Sequence, residues 1–276
     1  MDLAHLAERF AAQTVQTALG RTAFRQAGQG APVLVLLHGI GSASGSWVAQ
    51  LDALSATHTV LAWDAPGYGQ SEPLPDSQPT PQAYAQRLWA WLDALGFHEP
   101  LTLVGHSLGA LMATAAAAGE HSARVRSLVL LSPAAGYGQA APELREAKRD
   151  DRLHKLSTLG AAGMAEQRGA AMLSPQAPAE MVAYVKATMA RIHPAGYTQA
   201  THMLANADLA SLLAQVRCPV TVACGEADTI TPPAGCRALA QQAGLPEAPF
   251  VSLGPVGHAC AIEAAPAVNA LLRAAA

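Results

Sequence analysis

Apolar runs of strand length alternate with segments of helical periodicity along most of the chain. Residues 32–37, 59–63, 101–104 and 219–223 are rich in apolar side chains, which is typical of strands buried on both faces. Between these runs, apolar residues recur every three or four positions, as in amphipathic helices. The alternation predicts an α/β fold with a mostly parallel sheet and helices on both faces.

Several element boundaries are also marked in the sequence. Residues 3–10 show helical spacing of apolar side chains and predict an N-terminal amphipathic helix, and residues 21–27 predict the first strand. Thr80 and Pro81 are residue types favoured at the N-cap and first turn of a helix. The pair Pro232-Pro233 predicts another helix start in the same way.

The alternation stops between residues 142 and 206. This stretch has no convincing strand pattern, and glycines and prolines interrupt its helix-like segments. We therefore expect a helical cap inserted into the α/β core. The predicted division is a core over residues 1–133, a cap over 134–206 and the rest of the core over 207–276.

Composition narrows the class of protein. Half of the residues are hydrophobic (51%) and 13% are charged, which is typical of a well-packed globule. A net charge of −3 and a pI near 6.3 give no basic surface for nucleic acid. The longest uncharged apolar stretch, residues 110–119, is too short to span a bilayer.

The sequence predicts a cytoplasmic protein with reduced cysteines. The first residues include Asp2 and Glu8 and lack the basic segment that begins a secretory signal. The four cysteines show no CxxC spacing, so we expect free thiols and no metal site.

The segment Gly105-His106-Ser107-Leu108-Gly109 is the strongest candidate for chemistry. An apolar strand precedes it and an alanine-rich helix follows it, so Ser107 is expected at the apex of a tight strand–helix turn. The backbone N–H groups at a helix start are unpaired and favour developing negative charge. Ser107 is therefore the candidate nucleophile.

A serine nucleophile needs a base and an acid. His258 lies in a glycine-rich loop directly after the last predicted strand, at the same sheet edge as Ser107. Asp228 follows the strand at 219–223 and is preferred over Glu226, which lies closer to the strand end. Asp64 is interpreted as a turn former because Pro66 and Gly67 follow it. The order Ser107, Asp228, His258 is nucleophile, acid and base.

Acyl transfer also needs donors for the oxyanion. The backbone N–H of Leu108, the residue after the nucleophile, is the first candidate. The second is the backbone N–H of Ile40, in the loop His38-Gly39-Ile40-Gly41 after the strand at 32–37. His38 is expected to brace this loop rather than to react.

Together, five motifs resemble the α/β-hydrolase superfamily. They are His38-Gly39-Ile40-Gly41, Asp64-x-Pro66-Gly67-Tyr68-Gly69-x-Ser71, Gly105-His106-Ser107-Leu108-Gly109, Gly225-x-x-Asp228 and Gly257-His258. The resemblance implies the α/β-hydrolase fold with an inserted helical cap and a serine nucleophile. The serine at the elbow separates the chain from the branches with an aspartate nucleophile, the dehalogenases and epoxide hydrolases.

Two shorter stretches, residues 194–209 and 257–263, are similar to 3-oxoadipate enol-lactonases. This likeness implies a cofactor-free serine hydrolase of a small ester or lactone, with the enol-lactones of aromatic catabolism among the candidate substrates. Meta-cleavage-product C–C hydrolases share the same triad and remain an alternative, as does a non-catalytic small-molecule receptor. The expected partner is a small-molecule substrate, with no nucleic acid and no membrane. The oligomeric state stays open, with a homodimer among the alternatives.

The cap has a different charge balance from the rest of the chain. Over residues 133–206, eight basic residues stand against six acidic ones, a balance of +2 in a chain of −3. A cation above the site would suit a substrate carboxylate, but the alternating charges of residues 145–155 are also typical of a solvated helix face. The sequence does not select one residue. The eight basic residues are Arg145, Lys148, Arg149, Arg152, Lys155, Arg168, Lys186 and Arg191.

Overall fold

A computed structural model of the chain describes residues 2–242 and 250–276. Its strands form one eight-stranded sheet in the order β1-β2-β4-β3-β5-β6-β7-β8. The strands from β3 onward pair in parallel, and β1 and β2 are antiparallel to their neighbours. The strands are β1 (Gln13–Thr17), β2 (Gly20–Ala27), β3 (Val33–Leu37), β4 (Thr59–Trp63), β5 (Leu101–His106), β6 (Val125–Leu131), β7 (Val220–Cys224) and β8 (Phe250–Ser252).

Eleven α-helices accompany the sheet in the described part of the chain, none of them long and apolar enough to cross a bilayer. Short 3₁₀ turns occur at Ser44–Trp47, Ser122–Arg124 and Ala170–Met172. The helices are α1 (Leu3–Arg9), α2 (Val48–Leu54), α3 (Pro81–Ala94), α4 (Leu108–Ala118), α5 (Pro142–Arg168), α6 (Ala179–Met189), α7 (Pro194–Asn206), α8 (Leu209–Leu213), α9 (Pro233–Gln242), α10 (Cys260–Glu263) and α11 (Ala265–Ala275).

The sheet separates two hydrophobic cores. Strand β3 is buried along its whole length; Leu34 and Leu36 face one core, and Val35 and Leu37 face the other. Helices α3, α4, α8 and α9 cover the second face, and α1, α2, α10 and α11 cover the first. Each fully buried aliphatic side chain contributes about 1.5–3 kcal/mol, so the continuous apolar runs fix the middle of the sheet.

The predicted fold class is correct, and the structure changes two details of it. The strand predicted at residues 21–27 is β2, and the first strand is β1, whose sequence Gln-Thr-Val-Gln-Thr is mostly solvent-exposed. An edge strand with polar side chains lacks the apolar signal on which the prediction relied. The last predicted helix is two helices, α10 and α11, which meet at Ala264.

Helices α5, α6 and α7 lie between β6 and β7 in the chain, where the insertion was predicted. Helix α5 is bent, because Gly160 has φ 63° and ψ 179° in the middle of its span. The predicted boundaries at 133/134 and 206/207 stay a prediction. Residues 1 and 243–249, which these ranges include, lie outside the described residues.

Candidate active site

Ser107 sits in a strained turn between β5 and α4. Its backbone has φ 53° and ψ −116°, a conformation that residues other than glycine rarely adopt. Two glycines make this turn possible by close approach: a Cβ on Gly109 would lie 2.2 Å from the Leu37 carbonyl oxygen, and one on Gly105 would lie 2.6 Å from the Gly109 carbonyl oxygen. The predicted strand–helix turn is present, and its close contacts require glycine at both positions.

His258 and Asp228 meet at the carboxyl edge of the sheet. His258 Nδ1 donates to Asp228 Oδ2 at 2.9 Å, and both side chains are almost completely buried. This hydrogen bond places the proton of a neutral imidazole on Nδ1 and leaves Nε2 as the acceptor. Ser107 and His258 both line one cavity, although Ser107 Oγ makes no hydrogen bond to His258 among the described residues. Such contacts are often long without bound substrate.

The turn after Asp228 holds the carboxylate in place. Asp228 Oδ1 accepts hydrogen bonds from the backbone N–H groups of Ile230 at 2.8 Å and Thr231 at 2.9 Å, and Thr231 Oγ1 lies 2.9 Å from Oδ2. Burial raises the pKa of Asp228, but the hydrogen bond and charge of His258 and the Thr231 N–H outweigh it, so the pKa is well below its usual range. Asp228 is therefore ionised at neutral pH.

The two other acids considered in the sequence lie elsewhere. Asp64 accepts a hydrogen bond from the Ser44 N–H at 2.7 Å and shapes the turn after β4. Glu226 accepts one from Ser252 Oγ at 2.6 Å near the surface. Neither carboxylate forms a hydrogen bond or ion pair with His258 in the part of the chain that the structure describes, which favours Asp228.

Two residues of this site were missed in the sequence. Thr231 follows Asp228 by three positions, a spacing at which side-chain–backbone turns are common, and this spacing was the available signal. His106 was quoted only as part of the elbow motif. Its Nε2–H donates to the His258 carbonyl oxygen at 2.8 Å. Burial, together with the charge of His258, lowers the pKa of His106 to about 3, so this ring stays neutral and keeps its position beside His258.

The candidate oxyanion donors lie on two neighbouring turns. Leu108 is the first residue of α4, and Ile40 follows β3; neither backbone N–H donates to another group in the described structure. The Ile40 carbonyl is held by Tyr68 Oη at 2.7 Å. His38 Nδ1 donates to the Gly39 carbonyl oxygen at 2.8 Å and its Nε2 accepts from the Ala65 N–H at 3.0 Å.

His38 thus makes the bracing contacts expected of it. Burial lowers its pKa, which keeps the ring neutral and leaves Nε2 free to accept a hydrogen bond from the backbone.

A cavity of about 330 Å³ lies between the sheet edge and the cap. Ser107, His258 and Ile40 line it from the core, and three methionines of the cap line it from above. Leu108 and Asp228 are not among the residues that line it. The cavity size suits a small molecule with a mostly apolar body. The three methionines are Met164, Met172 and Met189.

No cluster of three or more His, Cys, Asp or Glu side chains is arranged to hold a metal ion in residues 2–242 and 250–276. All four cysteines, Cys218, Cys224, Cys236 and Cys260, are free thiols.

Residues 32–265 match the family described as the alpha/beta hydrolase fold, and the chain belongs to this family. It is 31% identical over 258 residues to RutD of Klebsiella pneumoniae (strain 342), whose name gives carbamate hydrolase as a provisional activity. That match covers 88% of this chain and 90% of the relative.

Two solved structures have the same architecture. A thermophilic esterase from Thermogutta terrifontis, with malate bound, has a TM-score of 0.83 and 26% identity, covering 96% of this chain and 97% of the esterase. The enol-lactonase from Burkholderia xenovorans LB400 has a TM-score of 0.82 and 25% identity, covering 95% of this chain and 99% of that protein.

Proposed function

We propose that the protein is a serine hydrolase that cleaves a small carboxylic ester or lactone through an acyl-enzyme. The observation that carries the proposal is the buried hydrogen bond between His258 and Asp228, with His258 lining the same cavity as Ser107, whose backbone has a positive φ at the elbow. A buried carboxylate that fixes the tautomer of a histidine on the same cavity as a serine hydroxyl supports nucleophilic catalysis. The names of the two structural neighbours, esterase and enol-lactonase, agree with this substrate class.

In the first half-reaction, Ser107 Oγ attacks the substrate carbonyl carbon and its proton passes to His258 Nε2. The N–H groups of Leu108 and Ile40 donate to the oxyanion of the tetrahedral intermediate. The intermediate collapses, the bond to the leaving oxygen breaks, and His258 returns the proton to that oxygen. The acyl group is then bonded to Ser107 Oγ.

In the second half-reaction, water attacks the acyl carbon while His258 Nε2 accepts its proton. Collapse of the second intermediate breaks the bond to Ser107 Oγ, which takes the proton back, and the acyl group leaves as a carboxylic acid. Asp228 stays ionised throughout and stabilises the imidazolium that forms in each step. In a lactone, leaving group and acyl group remain joined, so the product is one hydroxy acid, or one keto acid where the leaving oxygen is an enol.

A fluorophosphonate probe tests the nucleophile directly. We expect one covalent adduct, on Ser107 by peptide mass spectrometry, and none in Ser107→Ala. Ser42→Ala is the matched control, because Ser42 also lines the cavity but lies outside the elbow; it should label like the wild type. An adduct on another residue, or labelling of Ser107→Ala at the wild-type rate, contradicts the proposal.

A carbamate is the second candidate substrate class, favoured by the 31% identity with RutD over most of both chains. The same nucleophile, base and oxyanion donors would serve: the phenol oxygen would leave as in the ester, and the group left on Ser107 would be a carbamoyl group, with nitrogen in place of carbon next to the carbonyl. Parallel assays of an aryl ester and an aryl carbamate with the same phenol distinguish the two classes. Faster turnover of the carbamate would replace the ester in our proposal and leave the roles of Ser107 and His258 unchanged.

A further inference from the structure

The cavity above Ser107 has one charged wall. Among its described lining residues the only permanently charged side chains are Arg152 and Arg168, and there is no aspartate or glutamate. Both arginines come from helix α5 of the cap and are half-buried. Most of the remaining surface is apolar, and its neutral polar side chains are serine, threonine and tyrosine hydroxyls and two histidine rings. The cavity is therefore cationic opposite the catalytic edge.

The bend in α5 brings the two arginines to one cavity. They are sixteen residues apart in sequence, which in a straight helix would separate them by roughly 24 Å along the axis. Gly160 lies between them with φ 63° and ψ 179°, a backbone conformation that is essentially restricted to glycine. Because the helix turns there, its two arms each contribute one guanidinium to the cavity.

Three ion pairs occupy other charged residues of α5. Arg149 Nε lies 2.7 Å from Asp150 Oδ1, and Lys155 Nζ lies 2.8 Å from Asp151 Oδ2. A third ion pair joins Lys186 of α6 to a glutamate of α5 at 2.6 Å. The alternating charges of residues 145–155 are thus largely a solvated face, as one interpretation of the sequence held.

Arg152 and Arg168 differ from these residues. Arg152 donates to the Lys148 carbonyl oxygen at 2.9 Å and to Tyr137 Oη at 3.4 Å, both neutral acceptors. No carboxylate of the described residues lies within 4 Å of either arginine, although both act on Asp151 through space. Each guanidinium keeps donors that no described acidic side chain occupies.

A third polar group belongs to the same wall. Tyr197 lines the cavity, and its hydroxyl has no hydrogen-bond partner among the described residues. Burial raises the pKa of Tyr197, and the charges of Arg168 and Arg152 partly offset this, so both guanidinium groups are close enough to influence this phenol. A neutral phenol donates one hydrogen bond, and a guanidinium donates two in parallel to a carboxylate.

We propose that Arg152 and Arg168 form a carboxylate subsite, and that the substrate is an ester or lactone that carries a second, free carboxylate. The subsite rests on the proposed function for the identity of the scissile bond, but its charge recognition does not depend on that bond. The planar guanidinium of arginine matches a carboxylate with two parallel hydrogen bonds. It is also more weakly hydrated than an ammonium group, so its removal from water on binding an anion costs less free energy. The apolar remainder of the cavity would hold the carbon chain between the two ends.

Two esters with the same leaving group test the subsite through turnover: mono-4-nitrophenyl glutarate, which carries a free carboxylate, and neutral 4-nitrophenyl pentanoate. For the glutarate ester we expect Arg152→Gln and Arg168→Gln each to raise KM at least tenfold. For the pentanoate ester the change should stay within twofold. Lys148→Gln is the matched control, since it removes an exposed positive charge from the same helix arm and should change neither KM.

A binding measurement without turnover separates the subsite from the proposed chemistry. In Ser107→Ala we expect sodium glutarate to raise the melting temperature, and this shift to vanish in Ser107→Ala/Arg168→Gln. This result would support the subsite even if the wild type hydrolysed neither ester, an outcome that would count against the proposed function alone. An equal KM effect on both esters, no protection by glutarate, or stronger protection by inorganic phosphate contradicts the carboxylate subsite.

Discussion

The Asp228 carboxylate is held by a set of donors that no single motif contains. Its two oxygens accept from two backbone N–H groups of the following turn, from His258 Nδ1 and, within 2.9 Å, from Thr231 Oγ1. Thr231 Oγ1 also lies 3.0 Å from the Ser132 carbonyl oxygen and 3.2 Å from His258 Nδ1. The Thr231 hydroxyl is therefore placed to hold the Asp228 carboxylate in position beside the His258 ring, which would become positively charged during the proposed reaction.

Replacing Thr231 tests whether this hydroxyl contributes to the proposed reaction. We expect Thr231→Val to lower kcat about tenfold with KM within twofold, because a hydrogen bond to a charged group contributes about 1.5–3 kcal/mol and only part of it acts in the transition state. Steady-state turnover of 4-nitrophenyl butyrate measures this. Thr231→Ser keeps the hydroxyl and should stay near the wild-type rate; equal losses in both variants would assign Thr231 to packing alone.

His106 makes stability depend on pH. Its pKa is about 3 in the folded protein and near 6.5 in an unfolded chain, so between these values the unfolded chain binds a proton that the folded protein excludes. Stability therefore falls as the pH is lowered through this window, by up to about 1.4 kcal/mol per pH unit from this residue. His106→Asn should flatten that slope in urea unfolding measured between pH 4.5 and 6.5.

The exposed His154 provides the control for this measurement. Its replacement by asparagine removes no buried imidazole, so the wild-type slope should remain. An unchanged slope in His106→Asn would mean that other buried groups cause the acid sensitivity.

At the scale of elements, the bend of α5 depends on one residue. Gly160→Ala has open space around the new Cβ but must keep φ near +63°; we expect it to lower the free energy of unfolding by about 1–3 kcal/mol. Gly235→Ala in α9 is the matched control, since its Cβ also meets nothing and its φ is not positive. It should raise stability by roughly 0.5–1 kcal/mol.

Denaturant unfolding of the two glycine variants decides whether the bend is needed. A lower free energy of unfolding in Gly160→Ala and a higher one in Gly235→Ala would show that the backbone conformation of Gly160 causes the bend. Both variants add the same methyl group into open space, so only the backbone conformation differs. A stabilised Gly160→Ala would mean that α5 straightens at little cost, and the account of how both arginines reach the cavity would be wrong.

The elements that sequence could predict are those with a strong local signal. Strand β3, the elbow around Ser107 and the start of α3 at Thr80 combine apolar runs with residues of specific geometry, and Thr80 does cap its helix by accepting from the Ala83 N–H. Strand β1 has no such signal because its sequence is polar and mostly exposed. It forms a strand through its antiparallel pairing with β2. The glycines of residues 142–206 predict interruptions of its helices, but they do not predict the φ and ψ that Gly160 adopts.

At the scale of the whole molecule, one carboxylate joins the cap to the histidine loop. Glu263 of α10 accepts from the Gly257 N–H at 2.8 Å and from the backbone N–H and hydroxyl of Ser174. The Ala259 N–H donates to the Met172 carbonyl oxygen at 2.7 Å. The cap and the loop that carries His258 are thus bound on both sides of the histidine.

Glu263→Ala tests this connection. We expect a loss of about 2–3 kcal/mol of stability, because three donors lose a charged acceptor, and a kcat at least tenfold lower because the loop around His258 loosens. Thermal unfolding and ester turnover measure the two effects. Glu166→Ala, which removes a largely exposed cap carboxylate paired with Lys186, should stay within about 0.5 kcal/mol. Full activity in Glu263→Ala would contradict the coupling.

Long-range contacts also explain what sequence could not predict of the site. Ser107, Asp228 and His258 follow strand ends, so the topology of a parallel sheet puts them at one edge, and the motif order was enough to propose them as a triad. Arg152 and Arg168 lie on a helix whose charges alternate, and only their position on the cavity wall distinguishes them from its other basic residues. That position depends on the bend of α5 at Gly160.

Burst kinetics test the central claim, an acyl-enzyme on Ser107, most directly. With 4-nitrophenyl acetate and butyrate, the wild type should release one equivalent of nitrophenol per site in a rapid phase before slower turnover. A sample quenched after this phase should carry the acyl group on Ser107. Ser107→Ala should show neither phase while its fold remains intact. Turnover by Ser107→Ala near the wild-type rate, or an acyl group on another residue, would contradict the account.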